Sequence, residues 1–312
     1  MRIGIDIGGT KIVAGLVDES GRVIFKKKIS TEKEKGYSAI KDSVAGLIKT
    51  VVREGNIEKK IIKRVGIACA GQIDKKTEKI LFSPNLDWHN VPLKDDIEKL
   101  CDISTFIEND VNAAVYGEWK FCLKEIPDSI IGVFMGTGIG GGIIIDRKLY
   151  RGFSNVGGEV GHITLNPFGY KCRCGNTGCF EAYCGGLYVT ERLKVHIDEG
   201  YRGKIWDIIE GNTDLLHTGH IEEASLLGDE LCRKMWEEVI EYMGAALAGL
   251  VNLLNPEFVI LGGGVVYGSK YFVEDVKEIV RKRAMSASLS GLKIEKAQLG
   301  EDAGIAGAAF AE

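Results

Sequence analysis

The feature that most limits how this chain can fold is a strand–glycine–strand unit that occurs twice. RIGIDIGG (2–9) and KIVAGLVD (11–18) are short β-branched runs separated by Gly-Gly-Thr, and VIFKKKIS (23–30) follows as a third strand. SIIGVFMG (129–136), GGIIID (141–146) and KLYRG (148–152) repeat that order around a second glycine turn. A repeated supersecondary unit of this kind predicts two related α/β lobes with a cleft between them.

The remaining pattern fits two lobes. Residues 37–55 have helical spacing, with Ile40, Val44, Leu47, Ile48 and Val51 on one face. RVGIACAG (64–71) is a buried strand ending in glycine, and 93–101 is a short helix. STFIEND (104–110) is a strand running into a helix over 111–122, so the first third reads βββαβαβα. Beyond the second meander come a long helical region at about 221–254, a strand at 257–264 and a helix at about 270–286. A strand at 292–300 and a closing helix from Ala303 complete the chain. The expected division is 1–115 plus the helix at about 301–312 as a small lobe, and 116–300 as a larger one.

Composition narrows the function. The chain has 312 residues, 45% of them hydrophobic, enough to bury a core without covalent staples. A net charge of −4 supplies no basic field for nucleic acid or an anionic membrane. No window approaches the roughly 18 uninterrupted apolar residues of a membrane span. MRIGIDIGGT alternates instead of forming a secretory h-region, so a cytoplasmic location is expected. Eight cysteines in that setting argue against a disulfide framework. Cys69, Cys101, Cys122, Cys184 and Cys232 stand among apolar neighbours and read as small buried hydrophobes.

The 41 glycines cluster in three turns that follow strands: DIGGTK (6–11), MGTGIGGG (135–142) and LGGGVV (261–266). Without a Cβ, backbone N–H groups there can face an anion. Gly136, Gly138 and Gly141 spell G-x-G-x-x-G, but the loop runs into a β-branched strand and not into a helix, which excludes a dinucleotide fingerprint. No P-loop motif occurs. Each turn alone could be a tight hairpin; two hairpin loops in two lobes suit a polyphosphate clamped from both sides. With the cysteine segment EVGHITLNPFGYKCRCGNTGCFEAY (159–183), these loops resemble the ROK family of sugar kinases along the whole chain. The resemblance implies the two-lobed, actin-like (ribonuclease-H-like) ATPase fold, with ATP lying across Asp6, Gly8, Gly9, Thr10, Lys11, Gly136, Thr137, Gly138 and Gly140. The adenosine would lie near Gly262, Gly263 and Gly264. Asp6 would organise Mg²⁺, which takes few protein carboxylates and keeps much of its water. Lys11 reads equally as a phosphate ligand or a solvated lysine.

In IENDVNAA (107–114), Asn109 and Asp110 stand where a strand meets a helix, and both residue types are favoured helix caps. The resemblance implies more: Asp110 as catalytic base, and Asn109 as ligand to a neighbouring hydroxyl. A sugar hydroxyl is a poor nucleophile, so a carboxylate that orients it and accepts its proton serves the chemistry.

Cys172, Cys174 and Cys179 have the spacing C-x-C-x₄-C, with Gly175 and Gly178 between them. Three thiolates and one imidazole make a closed tetrahedral zinc set, and His162 is the expected fourth ligand. A disulfide within the segment would leave one cysteine odd. By resemblance, Glu159, His162 and Glu181 bind sugar hydroxyls, with the backbone near Gly71. The cysteines would then be purely structural, the two glutamates purely sugar-binding, and His162 both. Many relatives carry a serine shortly after G-C-x-E, where this chain has Cys184; that thiol ranks below the other four as a ligand.

The expected function is ATP-dependent phosphorylation of a hexose at the 6-hydroxyl, glucose first and an N-acetylhexosamine second, in a homodimer or homotetramer. Polyphosphate as donor stays open. The family also contains sugar-responsive repressors with a helix-turn-helix ahead of the kinase-like part. An acidic chain opening on the first phosphate-loop strand is expected to lack that module.

Overall fold

In the computed structural model, which describes residues 1–311, β1 (Arg2–Ile7) turns Ile3, Ile5 and Ile7 to one face, where all three are fully buried. The alternation that makes it a strand leaves Gly4 and Asp6 on the other face. β2 (Lys11–Val17) and β3 (Val23–Ser30) follow as an antiparallel meander. Next come α1 (Gly36–Glu54), β4 (Val65–Cys69), and a small sheet of β5 (Gln72–Ile73), β6 (Ile80–Ser83) and β7 (Trp88–Val91). α2 (Leu93–Cys101), β8 (Thr105–Asn109) and α3 (Asp110–Gly117) complete this stretch. β4 and β8 add in parallel, so the main sheet has the order β3-β2-β1-β4-β8. Its isoleucine face packs against Val44, Leu47, Ile48 and Val51 of α1 and Leu93 and Ile97 of α2.

The second run comprises β9 (Ile130–Met135), β10 (Ile139–Ile145), β11 (Lys148–Leu149), α4 (Phe180–Cys184) and α5 (Gly186–Asp198). It continues with α6 (Lys204–Ile208), α7 (Thr218–Leu226), α8 (Glu230–Leu254), β12 (Phe258–Gly262) and α9 (Gly264–Gly268). α10 (Phe272–Arg283), β13 (Lys293–Lys296) and α11 (Ala303–Phe310) end the described chain. This sheet has the order β11-β10-β9-β12-β13. Ranked by appearance, both sheets run third, second, first, fourth, fifth, and in both the last two strands extend the first in parallel. The repeat read from the sequence is therefore a repeat of topology.

The chain divides into two compact units. One comprises Met1–Asp128, Gly142–Gly158 and the chain from Gln298 onward; the other comprises Ser129–Gly141 and Glu159–Ala297. Residues 116–128 and 142–158 thus group with the first unit, where the expected boundary had put them with the larger lobe. Glu118 is one reason: its buried carboxylate accepts the backbone N–H of Gln298 (3.0 Å) and Leu299 (2.7 Å).

The polar-side face of the first sheet carries a row of glycines. Gly15, Gly4 and Gly66 stand opposite one another on β2, β1 and β4. α11 lies on that row so closely that a Cβ on Gly4 would stand 1.9 Å from the Ile305 carbonyl oxygen, and one on Gly66 would stand 1.8 Å from that of Ala308. The helix is itself small-sided (AGIAGAAF), and a Cβ on Gly307 would meet the Ala113 carbonyl of α3 at 1.7 Å. Backbone layers therefore touch where side chains normally intervene.

Several expectations need correction. The long helix at 221–254 is two helices, α7 and α8. Gly228 (φ +89°) breaks it, and the Asp229 carboxylate caps α8 by accepting from Cys232 N at 3.0 Å. The three-stranded sheet at 72–91 was not expected, because its strands of two to four residues are too short to show alternation. The strand at 148–152 shrinks to Lys148–Leu149, and the helix over 111–122 widens after Gly117 into a π-turn over Glu118–Cys122.

Gly66→Val is expected to destabilise the protein by about 3 kcal/mol or more, since overpacking typically costs about 1–3 kcal/mol and here the obstacle is backbone. Gly46→Ala, at an open position inside α1 with no neighbour within 4 Å, should stabilise by about 0.5–1 kcal/mol. Urea denaturation of both variants checks the pair; a Gly66→Val protein as stable as the parent would refute the contact.

Candidate functional site

In the first unit the glycine turn between β1 and β2 closes with Gly8 N donating to the Lys11 carbonyl at 3.0 Å. Thr31, 2% exposed, holds it from beneath: its hydroxyl donates to Gly8 O at 2.7 Å and its N–H to Thr10 O at 3.1 Å. Lys11 stands 3.7 Å from the exposed Glu301 carboxylate.

Asn109 is the N-cap of α3. Its Oδ1 accepts from Val111 N (3.0 Å) and Asn112 N (3.1 Å), and its Nδ2 donates to the Gly71 carbonyl at 3.3 Å. The cap reading is therefore correct for Asn109. A primary amide has two N–H donors, so one remains for a ligand hydroxyl. Asp110 is the first residue of the helix, where the amide dipoles favour negative charge. Its charge is felt at Asp6, whose pKa is pushed up to about 7, first by burial and then by Asp110, against the pull of Lys11. A buried carboxylate that resists ionising, with a second carboxylate acting on it, forms a donor set that a hydrated dication would relieve.

In the second unit the turn Gly136–Gly138 is pinned to the start of α5. Gly186 N donates to Gly136 O (2.9 Å) and Leu187 N to Thr137 O (3.0 Å). Gly263 (φ +92°) comes so near that its Cβ would lie 2.3 Å from Met135 O, so the second and third glycine turns are neighbours. Gly140 belongs to β10 and not to the turn, and Gly264 opens α9.

Glu181 links this turn to the cysteine segment. Its Oε2 accepts from Ile139 N at 2.9 Å, and a Cβ on Gly138 would lie 2.2 Å from the same oxygen. Its Oε1 accepts from the Tyr188 hydroxyl at 3.4 Å and lies 3.9 Å from Cys172 Sγ. Glu181 therefore has a structural task besides any role toward a sugar. Glu159 stays open to solvent on one side while the chain crowds its carboxyl. That crowding raises its pKa, the His162 ring lowers it, and Glu181's charge raises it, so these three side chains form one electrostatic cluster.

The ligand atoms of His162, Cys172, Cys174 and Cys179 all lie within 4.8 Å of one another. Cys174 and Cys179 Sγ are 3.6 Å apart, and Cys172 Sγ is 3.8 Å from His162 Nδ1. A tetrahedron with Zn–S of about 2.3 Å has edges near 3.8 Å, so the set fits a zinc ion with little movement. Nδ1 faces the sulfurs, which leaves Nε2 for another partner. The loop folds this tightly because Gly175 and Gly178 adopt φ +96° and +78°, and a Cβ on Gly178 would collide with Asn166 O. Cys184 is not part of the set: it is fully buried and its thiol donates to Val239 O at 3.4 Å. Of the scattered cysteines, Cys69, Cys101, Cys184 and Cys232 are buried and Cys122 is partly so.

The sequence matches the ROK family over residues 2–311. The chain belongs to the ROK family. This ROK chain is 33% identical over 311 residues to a glucokinase of Thermotoga maritima, covering 98% of itself and 95% of that protein. It is 34% identical to a xylose repressor of Caldicellulosiruptor bescii, covering 98% of itself and 76% of the repressor. Among solved structures it resembles a ROK family glucokinase from Streptomyces griseus in complex with glucose and AMPPNP, with a TM-score of 0.85, 35% identity and coverage of 99% and 97%. Its fold is the actin-like ATPase fold expected of the family. Among the described residues no helix is long and apolar enough to cross a membrane.

Four residues at these sites escaped the sequence reading: Thr31, Tyr188, and the pair Glu108 and Arg151, whose Oε2 and Nε lie 2.7 Å apart beside Asn109. Glu108 alone left a signal, since strand alternation places it opposite Ile107 with Phe106, and both faces of that sheet are covered.

Asp6 yields a pH test. Its folded pKa of about 7 exceeds the ordinary 3.8, so between those values the folded state holds a proton that the unfolded chain has lost. Stability without added Mg²⁺ should therefore fall as pH rises through that window. Asp6→Asn should remove this contribution: more stable than the parent at pH 8, with the advantage shrinking toward pH 4. Urea titrations across that range check it, and an identical pH slope in the two proteins would contradict it.

Proposed function

We propose that this ROK chain is an ATP-dependent hexose kinase acting on the 6-hydroxyl, with glucose as first substrate and an N-acetylhexosamine as second. The observation that carries the reading is a buried carboxylate at the glycine turn, Asp6, whose pKa is raised to about 7 first by burial and then by the charge of Asp110 at the start of α3. A base beside a phosphate-loop carboxylate is what phosphoryl transfer to an alcohol requires. The relatives named glucokinase support the same reaction class.

In this reading the sugar O6 attacks the γ-phosphorus, the bond to the β,γ-bridging oxygen breaks, ADP leaves, and the hydroxyl proton passes to the Asp110 carboxylate. Asn109 uses its remaining amide N–H on a neighbouring hydroxyl. Glu159, the free oxygen capacity of Glu181, and His162 Nε2 supply further hydroxyl ligands, with the backbone near Gly71. Gly8, Gly9, Thr10 and Lys11, and Gly136, Thr137 and Gly138, hold the phosphates; Gly262–Gly264 hold the nucleoside. Mg²⁺ bound at Asp6 would neutralise charge on the transferred group. Zinc held by His162, Cys172, Cys174 and Cys179 would set the orientation of the His162 ring. The protein is expected to be cytoplasmic and to form a homodimer or homotetramer.

A repressor reading has the Caldicellulosiruptor relative behind it. Asp6, Asp110 and the intact glycine turns favour catalysis, since sugar sensing alone needs no base.

Four measurements bear on this. Coupled detection of ADP with Asp110→Asn should show a loss of about 10²–10⁴-fold in kcat; unchanged turnover would end the mechanism. A panel of hexoses and N-acetylhexosamines compared by kcat/KM should place glucose first, and no ATP-dependent turnover on any sugar that binds would favour sensing. Metal analysis should find about one zinc per chain. Depleted but folded protein should bind glucose more weakly; normal binding would break the link through His162.

A further inference from the structure

Glu108 is a carboxylate in the interior of the first unit, 2% exposed. It lies on the sheet face that carries the glycine row. Asp6, Ala68 and Glu108 stand opposite one another on β1, β4 and β8, so the two acids flank a single alanine. Two of its three partners belong to the turn that carries Asp110. One oxygen accepts from Asn109 N at 3.0 Å and from Asn112 Nδ2 at 3.2 Å; the other accepts from Arg151 Nε at 2.7 Å. Asn112 is itself buried, 4% exposed. Glu108 thus grips the residue before Asp110 and the residue two beyond it, while the Asn109 side chain caps the same turn from within.

A buried ion pair is a poor device for stability, because well-packed apolar residues serve as well and loss of one partner strands a charge. What it does supply is direction. Displacing a reacting group by about 1 Å can cost up to about 10²-fold in rate. We propose that Glu108, held by Arg151, is a positioning residue for phosphoryl transfer: it fixes the 109–112 turn so that the Asp110 carboxylate and the remaining Asn109 N–H keep their geometry toward the sugar hydroxyl. The inference rests on the kinase reading above.

The test uses the full chain and five variants: Glu108→Gln, Arg151→Met, Arg151→Lys, the Glu108→Gln/Arg151→Met double, and Glu108→Gln combined with Asp110→Asn. Each is checked for folding by circular dichroism at the assay temperature. Glu108→Gln and Arg151→Met should each lower kcat by about 10–100-fold, with the KM for ATP within about twofold of the parent. The double variant should be no worse than about threefold below either single, as expected of partners in one network. Arg151→Lys should recover part of the loss. With Asp110→Asn already present, Glu108→Gln should add less than about threefold, because a residue that works through the base has nothing left to position. A folded Glu108→Gln enzyme with parental kcat, or the same loss with and without Asp110, would overturn the proposal. If Asp110→Asn alone keeps full turnover, the base assignment fails and the positioning role falls with it. If Asp110→Asn is inactive and Glu108→Gln is not, only the positioning role falls.

Discussion

The first unit depends on an absence of side chains. Gly15, Gly4 and Gly66 leave a smooth strip across three strands, and α11 rests on it with its carbonyls against the sheet. No other residue type permits that approach. One step along the same face, the row changes from glycine to Asp6, Ala68 and Glu108. The helix seated on the first row therefore also frames the second: a Cβ on Gly304 would lie 3.4 Å from the Asp6 carboxyl carbon, and Gly307 presses against Ala113 of α3, the helix that begins at Asp110. Close packing and carboxylate placement follow from one geometric condition.

The second unit uses a different device. Glu181 commits one oxygen to the backbone beside the glycine turn and the other to the neighbourhood of Tyr188 and Cys172. Tyr188 in turn accepts from Arg173 N at 2.9 Å within the cysteine loop. The Gly136–Gly138 turn and the cysteine loop are thus joined through one carboxylate and one phenol, a few ångströms in all.

Much of this was legible in the sequence because it follows a period. The isoleucine alternation of β1, the helical stripe of α1 and the glycine turns are local patterns with local causes. So is the cysteine spacing, which brings four ligand atoms together as expected. What could not be read depends on register. The glycine row exists only once β1, β2 and β4 are aligned, and nothing local says that Gly4, Gly15 and Gly66 will meet. Glu108 looks like any acid beside Asn109 until β8 is placed against β4. Thr31 and Tyr188 act on loops far from them in sequence. The failed reading of one helix at 221–254 has a local cause that carried too little weight: Gly228 followed by Asp229 is a break and a cap.

The seating of α11 also has a consequence in time. The contacts it makes with Gly4 and Gly66 join positions about three hundred and two hundred and forty residues apart in the chain. Loop closure over such distances is slow, and folding rates fall as contacts become less local. During synthesis β1 emerges about three hundred residues ahead of α11, so its glycine face cannot be covered until residues near 305 have been made. Until then that strip of bare backbone is open, and the row of acids beside it has no framework. A strand made early is among the last to be finished.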